Sequence, residues 1–141
     1  RHPCSIVNLN FMLHDHITRK IIKAFYTVNN TLGYGFLEKV YENAMVIELR
    51  KLGCRVQQQQ NISVYYNESR IGEYYADLLV DNKVIVELKA SEAICEEHEA
   101  QLINYLKATS AEVGILLNFG KKAEFRRKIF TNDRKGMIEH G

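Results

Sequence analysis

Hydrophobic residues recur at helical spacing in the first third of the chain. The spacing predicts one helix from Asp15 to about residue 28 and a second over residues 36–52, ended by Gly53. Glu48 falls within the apolar side of the second helix, where two roles stay open: a partner for Lys89 or a buried acid paired with an arginine. The expected buried stripe of this helix comprises Leu37, Val40, Tyr41, Ala44, Ile47 and Leu52.

After Gly53 the pattern changes to short β-branched and aromatic segments separated by turn residues. A further helix is expected over residues 96–108, where helical spacing returns. The predicted strands cover residues 54–59, 62–66, 74–80, 83–89, 113–117 and 125–130. Strands that are interrupted by a single helix indicate an α+β domain with a mixed sheet.

One predicted strand, residues 84–89, carries two charges among apolar residues. Three consecutive β-branched residues at its start indicate that both of its faces are covered, and strand periodicity puts Glu87 and Lys89 on one face. Buried charges are unfavourable without partners. In an isolated E-x-K tripeptide the two charges would be expected to pair with each other or with residues of neighbouring helices. Asp77 favours a site instead, because it interrupts the preceding apolar strand in the same way.

The loop between these strands decides whether Asp77 and Glu87 meet. A two-residue loop would put Asp77 opposite Val86, so that the two acids would point to opposite faces. A three-residue loop over residues 81–83 puts Asp77 opposite Glu87, and Asn82 tolerates the left-handed conformation that such a loop commonly needs. The site hypothesis therefore predicts an odd-length loop or a bulge here.

Two acids on one face would make a site for a divalent cation. Carboxylates that lie close together repel, and Mg²⁺ prefers oxygen ligands while it keeps several waters. Asp77, Glu87 and the backbone carbonyl of Leu88 are the expected ligands. Such a cation activates a water and neutralises a phosphate, and Lys89 would position that water or stabilise charge on the phosphate.

Three motifs resemble those of a known family. Asp77 followed by Glu87-Leu88-Lys89 resembles the D-x(n)-(D/E)-x-K signature of the PD-(D/E)xK nuclease superfamily, with Ala76 in place of the proline. Residues 35–41 resemble the motif of its GxxExxY branch, and residues 101–105 resemble the Q-x-x-x-Y motif of RecB-like nucleases. The matches cover roughly residues 12–130.

This resemblance implies a fold and an activity. The fold would be a restriction-endonuclease-like core, with a mixed central sheet of about four strands flanked by helices. The activity would be phosphodiester hydrolysis with Mg²⁺, or with Mn²⁺ in its place. By resemblance, Glu38 is the acid of the site that a helix carries, and Gln101 and Tyr105 flank the site from the following helix.

Basic residues cluster near the end of the chain, although the formal net charge is only +2. A basic cluster can bind phosphates, and it can equally be a solvated face. The two interpretations are balanced on this feature alone. The candidate nucleic-acid-binding residues are Lys121, Lys122, Arg126, Arg127 and Lys128.

Composition and length are those of one ordinary globular domain. Three scattered cysteines indicate buried free thiols, and no apolar run is long enough to cross a membrane. We expect a cytoplasmic protein with a poorly structured leader at residues 1–13, a single nuclease-like domain at residues 14–135 and a tail at residues 136–141.

Three functions stay open at this point. The first is a nuclease that acts on DNA, with RNA as the other substrate to be tested and a homodimer as an open alternative to a monomer. The second is a nucleic-acid-binding module that has the same fold but no catalysis. The third is a protein-interaction partner in which the acidic residues are structural.

Overall fold

Two helices, three strands, a third helix and two further strands follow one another along the chain, much as the hydrophobic pattern predicts. The structure, a computed structural model, describes residues 13–136, so the predicted leader and tail lie almost wholly outside it. A short 3₁₀ turn, Asn132–Arg134, follows the last strand. The elements are α1 (Asp15–Leu32), α2 (Glu38–Lys51), β1 (Val56–Tyr66), β2 (Ser69–Val80), β3 (Val84–Lys89), α3 (Glu96–Lys107), β4 (Val113–Phe119) and β5 (Ala123–Ile129).

The five strands form one mixed sheet in the order β1-β2-β3-β4-β5. Only β3 and β4 run parallel, and α3 provides the crossover that a parallel pair requires. The two strands predicted over residues 54–66 are a single strand, β1, which forms a long antiparallel ribbon with β2. The prediction of an α+β fold with a mixed sheet is confirmed, with five strands rather than about four.

Helices cover both faces of the sheet, and the sheet separates the core into two layers. Helices α1 and α2 pack on one face, where Phe25, Tyr41 and Phe119 form a cluster of ring contacts with centroids 4.8 Å and 4.3 Å apart. Helix α3 packs on the other face through Leu102 and Leu106. Strand β3 lies between the two layers and is buried on both faces, as its run of β-branched residues predicts.

The buried face of α2 differs from the predicted stripe. Leu37 is 81% exposed and Ile47 is 58% exposed, although both were expected in the core. Tyr41 is the one residue of the predicted stripe that is fully buried, and Glu42 lies beside it in the interior. The residues of α2 that are buried are Tyr41, Glu42, Met45, Val46 and Leu49.

Two expectations from composition can be compared with the described residues. No helix formed by residues 13–136 combines the length and apolar character needed to cross a membrane. Cys54 is a buried free thiol as predicted, whereas Cys95 is exposed, so the expectation of burial was wrong for Cys95.

Candidate active site

The loop between β2 and β3 has three residues, as the site hypothesis requires. Val80 pairs with Val84, and both Asp81 and Asn82 adopt left-handed backbone conformations, with φ of 52° and 54°. Short polar side chains such as these tolerate that conformation better than most. The prediction of an odd-length loop is therefore confirmed, and the register directs residue 77 towards residue 87.

Strands β2 and β3 separate at the point where the two acids lie. Their ladder ends at the pair Leu78 and Val86, although β2 continues well beyond it. The Asp77 N–H donates to Glu87 Oε2 at 2.8 Å, and the Leu88 N–H donates to Asp77 Oδ2 at 2.8 Å. The carboxylates thus accept hydrogen bonds from backbone groups at the end of the ladder. These bonds hold the side chains of Asp77 and Glu87 at the point where β2 and β3 separate, which we call the fork.

Burial makes the two acids difficult to ionise together. Glu87 is only 5% exposed, and burial together with the charge of Asp77 raises the pKa of Glu87 to about 8. Burial also raises the pKa of Asp77, against the opposing effect of the hydrogen bond from the Leu88 N–H. A bound cation would remove this repulsion, since it favours the charged form of both carboxylates.

Three other predicted residues lie close enough to act on the acid pair. The charge of Glu38 raises the pKa of both Asp77 and Glu87, and the charge of Lys89 lowers that of Glu87. Burial, followed by the charges of Glu87 and Asp77, raises the pKa of Tyr105 to about 12. Gln101 is not among the groups that shift the pKa of either acid, and it lines a groove together with Tyr105.

The turn before α2 fixes the position of Glu38. Gly35 has a φ of 111°, which residues with a side chain rarely adopt. The Tyr41 hydroxyl donates to the carbonyl of Gly33 at 2.6 Å and accepts from the Phe36 N–H at 3.2 Å. These bonds hold the turn closed, and Glu38 follows it as the first residue of α2.

A network of side chains that sequence reasoning missed supports Asp77. The buried Glu42 accepts hydrogen bonds from Gln58 at 2.7 Å and from Gln59 at 3.0 Å, and it pairs with Lys39 at 3.1 Å. The Gln59 amide also lies 3.4 Å from Asp77 Oδ1. Gln59 has a φ of 53° within a strand, a strained conformation that can accompany a functional site.

A sequence signal for this network existed. Gln58 pairs with Leu78 and Gln60 with Ala76, so the intervening Gln59 lies across the ribbon from Asp77. The run of glutamines at residues 57–60 thus places amide donors opposite Asp77. Neither of the two roles left open for Glu48 holds, because Glu48 is only half-buried and pairs with Lys51 of its own helix at 3.4 Å rather than with Lys89 or an arginine.

Loss of the Glu42 carboxylate should destabilise the fold. Glu42→Ala removes the acceptor that the amides of Gln58 and Gln59 share and leaves them only their contacts with Asn43 and Asp77. We expect a loss of about 2 kcal/mol in the free energy of unfolding, measured by urea denaturation. Glu48→Ala is the matched control on the same helix, with an expected loss under about 1 kcal/mol. If the two variants lost equal amounts of unfolding free energy, the hydrogen bonds of Glu42 would contribute nothing specific to stability.

A buried amide fixes the chain just after Lys89. Asn118 is fully buried, and its Oδ1 accepts from the Ser91 N–H at 3.0 Å while its Nδ2 donates to the Ser91 carbonyl at 2.9 Å. Gly120 packs against the same carbonyl, because a Cβ at Gly120 would lie 2.2 Å from that oxygen. The exit of β3 is thus held against the end of β4.

Gly120→Ala should therefore destabilise the protein by about 1–3 kcal/mol, because the backbone carbonyl of Ser91 must move. Gly72→Ala is the matched control, since its Cβ would make only ordinary contacts at 3.7 Å and 3.9 Å. Thermal melts of the two variants check this prediction. If the Gly120→Ala and Gly72→Ala variants had the same melting temperature, the close packing of Gly120 against Ser91 would be contradicted.

The five basic residues named from the sequence do not share one face. Arg127 lies beneath α1, donates to the carbonyl of Leu13 at 2.6 Å, and has its pKa lowered by burial. Lys128 pairs with Glu99 of α3 at 2.5 Å. Lys121 is exposed in the loop before β5 and lies over the ring of Tyr34, 5.8 Å from its centroid, and Lys122 is exposed in the same loop. Strand alternation puts Arg126 on the same face as Lys128, and the exposed Arg126 pairs with Glu124 at 3.5 Å. The five residues are therefore divided between a loop and two faces of β5, and they form no single phosphate-binding surface.

The donor set at the fork suits a hard cation. No group of three or more His, Cys, Asp or Glu side chains within residues 13–136 could hold a metal ion alone. Asp77 and Glu87 supply two carboxylates, and a backbone carbonyl with several waters would complete the shell, as Mg²⁺ permits. Glu87 Oε1 accepts no hydrogen bond from the described residues, which leaves that oxygen available to a cation.

The fold and the acid pair together define the class: a restriction-endonuclease-like α+β domain, with two carboxylates and a lysine where two strands of a mixed sheet diverge. The family model of the PD-(D/E)XK nuclease superfamily matches residues 15–128, a range that contains the fork. The chain belongs to this superfamily.

Among solved structures, one described as the crystal structure of SSO0001 is similar, with a TM-score of 0.55 and 18% sequence identity. The match covers 71% of this chain and 54% of that chain, so this chain spans about half the length of its match. At this level of identity the likeness shows the fold alone. No curated protein matches the chain significantly.

Proposed function

We propose that this protein is a metal-dependent nuclease that hydrolyses phosphodiester bonds, with DNA as the expected substrate. The observation that carries the proposal is the fork of β2 and β3, where Asp77 and Glu87 lie together beside Lys89. Membership of the nuclease superfamily supports the same activity. The G-x-x-E-x-x-Y and Q-x-x-x-Y motifs support the finer assignment to a GxxExxY-type branch with RecB-like features.

Each residue of the fork has a separate task in this proposal. Asp77, Glu87 and the carbonyl of Leu88 would hold Mg²⁺, or Mn²⁺ in its place. The cation, when bound, supplies a water of lowered pKa and neutralises charge on the phosphate. Lys89 lies near Glu87 and can donate to that water or to a phosphate oxygen. Glu38 acts on the pair through its charge and is not counted among the ligands.

The residues around the fork would position the nucleic acid. Tyr105 lies within the field of both acids, and Gln101 lies beside it on the same wall of a groove. On the other side, Lys121 and the exposed Lys122 are the basic residues best placed to contact phosphates. Arg127 and Lys128 have other partners within the fold. The basic surface available to a phosphate is therefore smaller than the five residues named from the sequence would make.

The experiment that tests this function is a cleavage assay with the full chain. End-labelled DNA and RNA, single-stranded and duplex, are incubated with Mg²⁺, with Mn²⁺ or with EDTA. The proposal predicts cleavage that requires the divalent ion. Salt-dependent binding without any cleavage would instead identify a non-catalytic nucleic-acid-binding module. Neither binding nor cleavage would favour a protein-interaction role.

A further inference from the structure

A groove of about 510 Å³ lies between α3 and the β1–β2 ribbon. Its volume is within the usual range for sites that bind small molecules. We call it the Tyr74 groove, and the residues that line it are Val64, Tyr74, Glu97, Ala100, Gln101, Asn104, Tyr105 and Ala108.

The Tyr74 groove adjoins the acid pair through Tyr105. The ring of Tyr105 contacts the ring of Tyr74, with centroids 5.7 Å apart. Tyr105 also packs in one buried cluster with Ala76, which precedes Asp77, and with Ile85, which lies on the same face of β3 as Glu87. A nucleotide whose phosphate lies at the fork would therefore have this groove beside it.

The lining of the Tyr74 groove suits a flat heterocycle. Tyr74 is 47% exposed, so part of its ring is available for stacking. Asn104 and Gln101 place two carboxamides on the facing helix, and a carboxamide both donates and accepts hydrogen bonds, as the edges of bases do. Alanine and valine side chains complete an apolar lining.

Charge distinguishes this groove from a phosphate site. Among residues 13–136, no lysine or arginine lines it, and Glu97 contributes an acid. A second groove of about 440 Å³, near the start of α2, is lined by Lys121 and Glu92 together with Tyr34 and Phe36. The Tyr74 groove has no cation to set against its acid, so it suits a neutral base better than a phosphate.

We propose that the Tyr74 groove binds one unpaired nucleobase of the strand whose phosphate lies at the acid pair. The faces of a base within a duplex are covered by its neighbours, and its pairing edge is occupied, so only an unpaired base can enter. The substrate would then be single-stranded at the point of cleavage. This inference rests on the proposed function for the place of the phosphate.

The test measures binding in EDTA, which stops any metal-dependent cleavage. Three fluorescein-labelled probes are compared by anisotropy: a short single strand of mixed sequence, the same backbone made abasic throughout, and the blunt duplex. We expect the abasic strand to bind the wild-type protein about tenfold more weakly than the strand with bases. Equal binding of these two strands would overturn the proposal, and this comparison needs no variant.

Variants then place the base in the groove. Tyr74→Ala should weaken binding of the single strand about tenfold and leave binding of the abasic strand and the duplex unchanged. Tyr74→Phe keeps the ring and should bind like the wild type. Tyr66→Ala is the matched control, because Tyr66 is another exposed tyrosine, at the far end of β1. An equal effect of Tyr66→Ala and Tyr74→Ala would contradict a specific groove.

The two proposals fail in different ways. If the wild type cleaves DNA but Tyr74→Ala binds the single strand as tightly as the wild type does, the groove proposal is wrong and the nuclease proposal stands. If Tyr74→Ala loses base-dependent binding and no divalent ion supports cleavage, the nuclease proposal is wrong and the groove still binds a base.

Discussion

Asp77→Ala should lose at least about a thousandfold of the divalent-dependent cleavage rate while the protein stays folded. The substitution removes one of the two carboxylates proposed to hold the cation. It also leaves the Leu88 N–H without its acceptor at 2.8 Å. Glu87→Ala should have a similar effect, because both acids belong to one site. Initial cleavage rates on a labelled strand, measured with saturating Mg²⁺, check this prediction.

Asp133→Ala provides the control for this loss. Asp133 is an exposed acid in the 3₁₀ turn, outside the fork, so its removal should leave the cleavage rate within about twofold of the wild type. Circular dichroism verifies that each variant is folded. An Asp77→Ala protein that is folded and cleaves at the wild-type rate would remove Asp77 from the site.

The metal-free protein should become less stable as the pH rises from about 4.5 towards 8. The raised pKa of Glu87, about 8 against an ordinary 4.5, means that the folded state keeps this proton while the unfolded chain has lost it. Folding therefore opposes ionisation across this window, and the free energy of unfolding falls as the pH rises. Thermal melts in EDTA at several pH values measure the slope.

Adding Mg²⁺ should reverse this loss most strongly near pH 8, because the ion binds the ionised pair. Glu87→Gln removes the titrating group, so its metal-free melting temperature near pH 8 should exceed that of the wild type by about 5 °C. It should also lose most of the stabilisation by Mg²⁺. Glu68→Gln, at the exposed turn between β1 and β2, is the control. Identical pH slopes for the wild type and Glu87→Gln would contradict the raised pKa.

The fork could be predicted from the sequence because strand geometry is local. Side chains alternate along each strand, so counting residues across the loop sufficed to show that Asp77 and Glu87 meet only if residues 81–83 form the loop. The buried character of β3 was equally readable from its consecutive β-branched residues. The end of the β2–β3 ladder at Leu78 and Val86 could not be predicted, because no local pattern marks where two paired strands separate.

The inward position of Glu42 on α2, from which it supports the fork, could not be predicted from a helical wheel. A wheel shows that residues share a face, but the sheet beneath the helix decides which face is buried. Leu37 and Ile47 therefore stay exposed, while Glu42 turns inward because Gln58 and Gln59 donate to it. Those donors follow Glu42 by 16 and 17 residues, and no periodicity links them to it.

The basic cluster was ambiguous in the sequence for a similar reason. Consecutive residues of β5 point to opposite sides of the sheet, so Arg127 meets α1 and Lys128 meets α3. Nearness along the chain therefore did not mean nearness on the surface. The exposed loop residues Lys121 and Lys122 keep the role proposed for the whole cluster.

The most direct measurement of the central claim is the position of a bound ion. Crystals of the protein soaked in Mn²⁺ and measured at an anomalous wavelength would locate it without reference to activity. We expect one anomalous peak at the fork, about 2.2 Å from a carboxylate oxygen of Asp77 and from one of Glu87, near the carbonyl of Leu88. An ordered fork with both carboxylates in place but no peak between them, at a Mn²⁺ concentration that supports cleavage, would contradict it.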